Sequence, residues 1–356
     1  MIFLAFVSLS GLDGPLTPRI GLVLDPIPEE TGLYMEYICS LNQDEQGRFY
    51  GLDLRAKTVF VWDRSGKYLR NFGEPGMGPG QFSFTEDSIA STYATVVNNR
   101  YYVFESHHQI IDTFTLDGTF VERQRFRGNG GLAWNFASTK SGNFIIQQVQ
   151  VFSKDPGSDV RLYDAHFKEL AMLSHVGEKS FIPNYRNGKF EGYVVHAFAA
   201  RQIAYSDPSN NEIIVGNNLA PEFDIFDNNG KKIRTIKYNT SRREVTKEDR
   251  NEFKMQELGP YVLRIQFPNE HPWYDFITPA AGKRYLIFNM SPVHRNLRGL
   301  MVDASGKIHG RLNYSLGEEG KFFAVSGRVF VNVLDIEDEY KIQELIFDSA
   351  SSKDIR

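Results

Sequence analysis

Histidines are the residues of this sequence with the widest chemical scope, because an imidazole can bind a metal or transfer a proton near neutral pH. The chain contains eight of them. His196, His271 and His294 lie at positions that a repeated fold could bring together. With nearby carboxylates and amides they could hold a divalent metal for a lyase or hydrolase reaction. Ordinary loop histidines are the preferred interpretation, and no other cofactor is predicted.

The standard signatures of nucleophilic and phosphate chemistry are absent. The sequence has no Gly-x-Ser-x-Gly elbow, no Walker loop and no His-Glu-x-x-His motif. The stretch Gly128–Ala133 nominally fits a dinucleotide fingerprint, but it leads into a strand pattern and is therefore predicted to be a loop. Cys39 is the single cysteine, which excludes a disulfide within the chain and a cysteine-based metal site.

The elements that must position these residues appear as internal repeats. An apolar strand pattern ending in aspartate occurs six times, at Phe60–Asp63, Phe114–Asp117, Arg161–Asp164, Asp224–Asp227, Leu300–Asp303 and Leu345–Asp348. Four of the six run into a turn that contains glycine. Aspartate accepts hydrogen bonds from the backbone of a tight turn, and glycine supplies the positive φ angle. The six aspartates are therefore predicted to form hairpin turns.

A second apolar strand precedes each of these patterns. The six instances are Arg48–Asp53, Arg100–Glu105, Asn143–Gln148, Glu212–Asn217, Arg284–Asn289 and Arg328–Val333. Four-stranded units repeated radially form a propeller. The sequence therefore predicts an all-β fold, a six-bladed β-propeller of four-stranded antiparallel blades. The sixth unit stops soon after Asp348, and the spare segment Arg19–Leu24 is predicted to close this last blade.

The domain organisation follows from these repeats. Residues 19–356 are predicted to form a single propeller domain. It carries a short helical insertion at about 241–260, between blades 4 and 5, where Thr246–Asp249 resembles a capping box. Residues 1–18 are predicted to be a leader, because the apolar run Ile2–Val7 precedes a signal-peptide-like cleavage site. This favours a periplasmic or secreted protein; a frayed apolar N-terminus is the alternative. No stretch of the sequence could cross a membrane.

The segment Phe72–Phe82 adds a family resemblance. It reads Phe-Gly-Glu-Pro-Gly-Met-Gly-Pro-Gly-Gln-Phe and resembles the loop between blades in bacterial six-bladed propellers of the NHL-repeat type. The strands from Arg100 to Asp117 look like the same repeat, and Phe267–Pro272 resembles an insertion of secreted bacterial members. The resemblance covers about Tyr34 to Asp348. It implies the fold and an extracytoplasmic location, but it does not define an activity.

The mouth of the propeller channel is the best candidate site. The first two strands of a blade are antiparallel, so the start of the first and the end of the second reach the same face. That face is predicted to present Phe82, Trp134, His196, Trp273, Tyr274, Asp53, Glu105, Asn217 and Asn289. Concave sites with apolar walls and a few polar groups bind ligands. The alternative is that the aromatic residues pack between blades and the polar groups bind loop backbone.

Charge and motif content leave a binding function as the leading hypothesis. The net charge of −4 provides no electrostatic footprint for nucleic acid. We expect a non-enzymatic propeller that binds a small molecule, a glycan, a peptide or a protein partner at the channel mouth. A metal-assisted lyase or hydrolase on the same face is the alternative. A scaffold that binds protein partners through its lateral faces is a third hypothesis.

Overall fold

The computed structural model describes residues 15–16, 18–84, 92–128, 131–150, 157–177, 181–196, 202–207, 211–252, 262–280, 284–290, 296–315, 321–334 and 340–347. These residues form six blades of four antiparallel strands around a central channel, with one short α-helix. The predicted six-bladed β-propeller is confirmed. No helix in the described part of the chain has the length and apolar character needed to cross a membrane.

The strands are numbered in chain order, and within each blade they run from the channel outward. Two N-terminal strands, β1 (Pro15–Leu16) and β2 (Arg19–Val23), precede a 3-10 helix at Glu29–Thr31. Blade 1 comprises β3 (Ile38–Gln43), β4 (Phe49–Asp53), β5 (Thr58–Trp62) and β6 (Tyr68–Phe72). Two short strands follow, β7 (Glu74–Pro75) and β8 (Gln81–Phe82). Blade 2 comprises β9 (Thr92–Val97), β10 (Arg100–Glu105), β11 (Ile110–Thr115) and β12 (Phe120–Arg125). Blade 3 comprises β13 (Leu132–Ser138), β14 (Phe144–Gln150), β15 (Gly157–Tyr163) and β16 (Glu169–Gly177).

The second half of the ring contains the insertions. Strands β17 (Phe181–Arg186) and β18 (Lys189–His196) lie between blades 3 and 4. Blade 4 comprises β19 (Gln202–Asp207), β20 (Glu212–Asn217), β21 (Glu222–Phe226) and β22 (Lys232–Lys237). Helix α1 (Lys247–Glu252) and strand β23 (Val262–Gln266) follow. Blade 5 comprises β24 (Phe276–Ala280), β25 (Arg284–Met290), β26 (Asn296–Asp303) and β27 (Ile308–Ser315). Blade 6 comprises β28 (Lys321–Val325), β29 (Arg328–Leu334) and β30 (Tyr340–Ile346).

The N-terminal strand closes the ring. Strand β2 pairs antiparallel with β30 and so supplies the outer strand of blade 6, as the sequence predicts. The Leu22 amide donates to the Glu344 carboxylate at 3.2 Å, and Leu24 is buried in the core between blades 6 and 1. The indole of Trp62 in blade 1 donates to the Asp25 carbonyl at 2.9 Å. The segment after β2 therefore ties blade 6 to blade 1.

The repeated aspartates form the turns between the third and fourth strands. One carboxylate oxygen of Asp63 accepts from the Ser65 and Lys67 amides at 2.8 and 3.0 Å. The carboxylates of the corresponding residues Asp164, Asp227 and Asp303 each accept two such bonds. The carboxylate of Asp117 accepts one. Asp348 lies outside the described residues. The predicted structural role is thus confirmed for the five described aspartates.

These same turns make a contact at the outer rim between neighbouring blades. A Cβ atom at Gly66 would overlap the Val23 carbonyl of the preceding outer strand, and one at Gly306 would overlap the Lys237 carbonyl. Gly118 and Gly230 lie in the same way against outer strands β6 and β16. In blade 3 the turn instead carries Phe167, whose ring packs against Phe126 at the end of blade 2. We call these five contacts the outer-rim contacts.

The insertions form a small sheet that the sequence did not predict. Strands β17 and β18 form a hairpin, and β18 pairs in parallel with β23, from Gly192↔Val262 to His196↔Gln266. Both insertions connect an outer strand to the next inner strand. This sheet therefore lies on the face where the inner strands begin. The predicted helix is present as α1, and Thr246 and Asp249 exchange the hydrogen bonds of a capping box.

Candidate functional site

The channel is a cavity of about 390 Å³. Its wall is built from the innermost strand of each blade, namely β3, β9, β13, β19, β24 and β28. Pockets that hold small molecules commonly measure roughly 300–1,000 Å³. The cavity is therefore large enough for one small ligand.

Aromatic side chains form a large part of the wall. The less buried of them are Tyr93, Trp134, Tyr205, Phe276 and Phe322, and the buried Phe136 and Phe323 also line the cavity. The rings of Phe276 and Phe322 lie 5.5 Å apart between centroids, and Phe276 is 41% exposed. Burial raises the pKa of Tyr93, so its phenol stays protonated even at alkaline pH. These rings offer flat apolar faces to a ligand.

Two lining residues sit on β-bulges. In β13 the pairing with β14 skips Trp134, and in β3 the pairing with β4 skips Cys39. A bulge leaves one residue outside the ladder and changes the direction of its side chain, and bulges are frequent beside active sites. Both residues line the channel. The bulges thus give these two side chains positions that a regular strand would not.

Most polar groups of the channel join one blade to the next. The Ser40 hydroxyl donates to the Ala94 carbonyl at 3.1 Å, which links blades 1 and 2. The amide of Asn135 donates to the Ala204 carbonyl at 2.5 Å, which links blades 3 and 4. Ser138 likewise donates to the inner strand of blade 2. These bonds fix the inner strands and leave those groups engaged within the protein.

In the part of the chain that the structure describes, two buried polar atoms of the lining have no hydrogen-bond partner. They are Gln202 Oε1 and Ser206 Oγ, on residues that are 2% and 6% exposed. Leaving a buried acceptor or donor unpaired costs about 1–3 kcal/mol. Both atoms are shielded from the cavity, and the Gln202 amide nitrogen donates to Ser174 Oγ on the outer strand of blade 3, so this side chain lies in the interface between blades 3 and 4.

The lining carries little charge. Among its described residues, Asp275 is the only acidic one, and no lysine, arginine or histidine is present. Lys321 lies at the rim, where its ammonium group donates to the Ile38 carbonyl at 3.3 Å and contacts the Tyr37 ring. Burial raises the pKa of the Cys39 thiol despite the nearby Lys321 charge. The thiol is therefore protonated at neutral pH.

Native Cys39 should react slowly with thiol reagents. At pH 8 we expect iodoacetamide to modify it at least about ten-fold more slowly than in urea-unfolded protein, because the thiolate is the nucleophile and its pKa is raised. Mass spectrometry measures the labelled fraction directly, since Cys39 is the only cysteine. Cys39→Ser provides the unlabelled control. Equal rates in folded and unfolded protein would contradict the described environment.

The predicted aromatic residues divide between the channel and the blade interfaces. Trp134 lines the channel. Phe82 is fully buried and stacks on Phe84 at 4.9 Å between ring centroids. Tyr274 is also fully buried and donates to the Glu222 carbonyl at 2.7 Å, between blades 4 and 5. Trp273 packs against the same interface with the Arg242 guanidinium over its ring.

The predicted polar residues lie on the expected face but bind loops. Asp53 is fully buried and accepts from four backbone amides at 2.7–2.9 Å. Glu105 contacts the His108 ring at 2.9 Å. Asn217 accepts from a loop amide, and Asn289 donates to a loop carbonyl. None of these four lines the cavity as described. In this arrangement they fix the loops around the mouth.

The three weak metal candidates are not brought together in the described residues. His294 and the side chain of His196 lie outside them. The Nε2 atom of His271 lies 2.5 Å from the Arg243 guanidinium and 3.1 Å from Asp249. Burial, with the Arg243 charge, lowers the pKa of His271. Burial alone would raise the pKa of Asp249, but its hydrogen bonds with His271 and Thr246 lower it to about 2. Within the described part of the chain, no group of three metal-binding side chains occurs.

Tyr93, Gln202 and Phe276 were not among the predicted site residues. The sequence analysis placed the first residue of each of their three inner strands several positions too early. The loop after blade 1 ends at Phe82 in the small β7–β8 pair, and inner strand β9 starts only at Thr92. His196 ends β18 of the insertion and does not precede an inner strand directly. The usable signal was the alternating pattern directly before each predicted second strand, which runs from Thr92 to Val97 in blade 2.

Comparison with known proteins shows the fold. Neither a family model nor a curated protein matches the chain by sequence. A protein of Bacteroides fragilis NCTC 9343 named as exported is similar with a TM-score of 0.53 and 11% identity, covering 96% of this chain and 98% of that one. A member of the DUF4221 family from Bacteroides vulgatus ATCC 8482 is similar with a TM-score of 0.58 and 10% identity, covering 95% and 100%. Virginiamycin B lyase from Staphylococcus aureus gives a TM-score of 0.43 and 10% identity, covering 94% and 100%. At these identities the likeness concerns the fold and not the activity.

Proposed function

We propose that the protein binds a small molecule in the central channel without transforming it. The observation that carries the proposal is the channel wall. It combines partly exposed aromatic rings with amide and hydroxyl groups around a cavity of about 390 Å³. A ligand would cover these rings and could bond with the polar groups beside them. The ligand would enter from the face where the inner strands begin.

The chemistry of the lining supports binding over catalysis. Hydroxyl groups of the channel become nucleophiles only when a neighbouring base removes their proton. Beside them the described lining offers amides, aromatic rings and a single carboxylate, Asp275, and the Cys39 thiol is held in its protonated form. A periplasmic or secreted location remains a prediction of the N-terminal sequence.

Two tryptophans test where the ligand binds. Trp134→Ala should keep near-normal stability and weaken binding by about 1–3 kcal/mol, because it removes a stacking surface. Trp273→Ala should spare binding and lower stability by about 3 kcal/mol, because that ring packs between blades. Thermal unfolding gives the stability of both variants. A thermal-shift screen with glycans, peptides and small polar compounds gives the ligand. The proposal fails if Trp134→Ala mainly destabilises the protein and leaves ligand affinity intact.

Metal analysis provides an independent check. Protein purified without an affinity tag should contain no zinc or calcium at a one-to-one ratio. Elemental analysis by mass spectrometry measures this directly. Stoichiometric metal that survives dialysis would contradict a purely binding role and favour a metal-assisted reaction.

A further inference from the structure

The mouth end of the channel gathers aromatic residues around one carboxylate. Tyr93, Phe276 and Phe322 are the first or second residues of their inner strands, and Trp134 is the third of its strand. Asp275 directly precedes the inner strand of blade 5. All five residues line the cavity. Because the inner strands begin at one face, these residues lie at the same end of the channel, and we call them the aromatic mouth.

The rings of the aromatic mouth are accessible from the cavity. Phe276 is 41% exposed, and its ring centroid lies 5.5 Å from that of Phe322. Tyr93 and Trp134 are half-buried. The π electrons give the face of an aromatic ring a partial negative charge, which attracts a cation placed over it. The rings therefore offer a ligand both apolar cover and a field that favours positive charge.

The formal charge of the lining has one sign. Asp275 is the only charged residue among the described lining residues, which include no lysine, arginine or histidine. Lys321 lies beside Phe322 at the rim, but its ammonium group donates to the Ile38 carbonyl and contacts the Tyr37 ring in blade 1. An anion would meet the Asp275 carboxylate and gain no cationic partner in the described lining. A cation would gain an opposite charge and the ring faces together.

An organic cation suits this lining better than a metal ion does. A calcium or magnesium ion needs several oxygen ligands, and a single carboxylate supplies too few of them. The described part of the chain contains no group of three histidine, cysteine, aspartate or glutamate side chains that could hold a metal. Alkylated ammonium groups are the cations that aromatic cages recognise. The cavity of about 390 Å³ is large enough for a small ligand of this kind.

We infer that the channel takes an organic ammonium ion, with its charge over the rings of the aromatic mouth and beside the Asp275 carboxylate. This rests on the proposed function and names its ligand class. Tryptophan attracts a cation more strongly than the other aromatic side chains, and Trp134 lines the cavity from its bulge. A quaternary ammonium group fits best, because it has no N–H donor that would need an acceptor. Ser40, Asn135 and Ser138 of the lining are already engaged between blades.

The test compares probes that share a shape and differ in charge. Choline and acetylcholine are the cations, and their uncharged carbon analogues are 3,3-dimethylbutan-1-ol and 3,3-dimethylbutyl acetate. The anion is 3,3-dimethylbutanoate. Isothermal titration calorimetry on the unmodified protein gives each affinity. In at least one pair the cation should bind at least about ten-fold more tightly than its carbon analogue, and the anion should not bind. The cation should also slow the iodoacetamide labelling of Cys39, which lines the same channel.

Three variants locate the cation. Asp275→Asn and Trp134→Leu should each weaken the cation at least about five-fold and change the affinity of the carbon analogue less than about two-fold. Glu36→Gln is the matched control, because it removes the same charge from an exposed residue of the mouth face that does not line the described cavity. It should change the affinity of the cation less than about two-fold. Thermal unfolding checks that each variant folds, and the probe pairs decide the ligand class on the unmodified protein if one does not.

The outcomes separate ligand class from function. Equal affinity for cation and carbon analogue in both pairs would overturn the ammonium inference, and so would a lack of saturable binding by both cations. If another compound then protects Cys39 and needs Trp134, the ligand class is wrong and channel binding stands. Cations that bind equally well to the Asp275→Asn and Glu36→Gln proteins would overturn the role of Asp275. Ligands that bind without protecting Cys39 and without needing Trp134 would overturn the inference and the proposed function together.

Discussion

Deleting residues 1–25 should lower the melting temperature by roughly 10 °C or more, or leave the protein aggregated. The deletion removes β2, which is the outer strand of blade 6, and Leu24, which is buried between blades 6 and 1. It exposes the edge of β30, and an unpaired edge strand promotes association with other chains. It also removes the Asp25 carbonyl that accepts from the Trp62 indole. Thermal unfolding and light scattering measure the two effects.

A shorter deletion and a point variant complete this test. Deleting residues 1–14 leaves β1 and β2 in place and serves as the control. Leu24→Ala keeps the strand but removes its buried side chain, and should cost about 2–5 kcal/mol of stability. A melting temperature unchanged by the longer deletion would show that the ring does not need its N-terminal strand.

Gly306→Ala should destabilise the protein by at least about 3 kcal/mol, because two costs add. Gly306 has a φ angle of +84°, in the left-handed region that disfavours a side chain. Its added Cβ would also overlap the Lys237 carbonyl at the end of β22 in blade 4. Backbone on both sides of this contact must move to relieve the overlap. Chemical denaturation with a two-state fit measures the change.

Gly327→Ala isolates the first of these costs. Gly327 has a φ angle of +73°, but a Cβ there would meet nothing within 4 Å. This variant should lose only about 1–2 kcal/mol, the usual cost of a left-handed residue. The difference between the two variants measures the outer-rim contact itself. Similar losses in both would mean that the rim is loosely packed at Gly306.

The fold was predictable because it rests on local chemistry that recurs. Asp63 and its counterparts each accept backbone amides within their own turn, so a short pattern specifies each hairpin. Ring closure was predictable from simple counting, since the sixth unit lacked an outer strand and Arg19–Leu24 was spare. The helix start was visible because Thr246 and Asp249 lie in one capping box. Each of these signals spans only a few residues.

The candidate site was less predictable because its geometry depends on distant pairing. Trp134 and Cys39 owe their positions to bulges, which depend on how β13 and β3 pair with the next strand. Gln202 is held by Gln147 and Ser174 of the neighbouring blade, and nothing in its local sequence indicates these partners. The parallel pairing of β18 with β23 joins segments on either side of a whole blade. Aromatic residues such as Phe82 and Tyr274 are equally suited to a ligand wall and to packing between blades.

The outer-rim contacts bear on how the channel could respond to a ligand. Blades 1 to 4 are joined to one another at two distances from the axis, by hydrogen bonds at the inner strands and by outer-rim contacts. A ligand too wide for the channel would have to open both sets of contacts at once. The width of the channel is therefore preorganised. Ligands wider than the channel should be excluded. A ligand of the right width should bind with little backbone movement and lose little affinity to reorganisation.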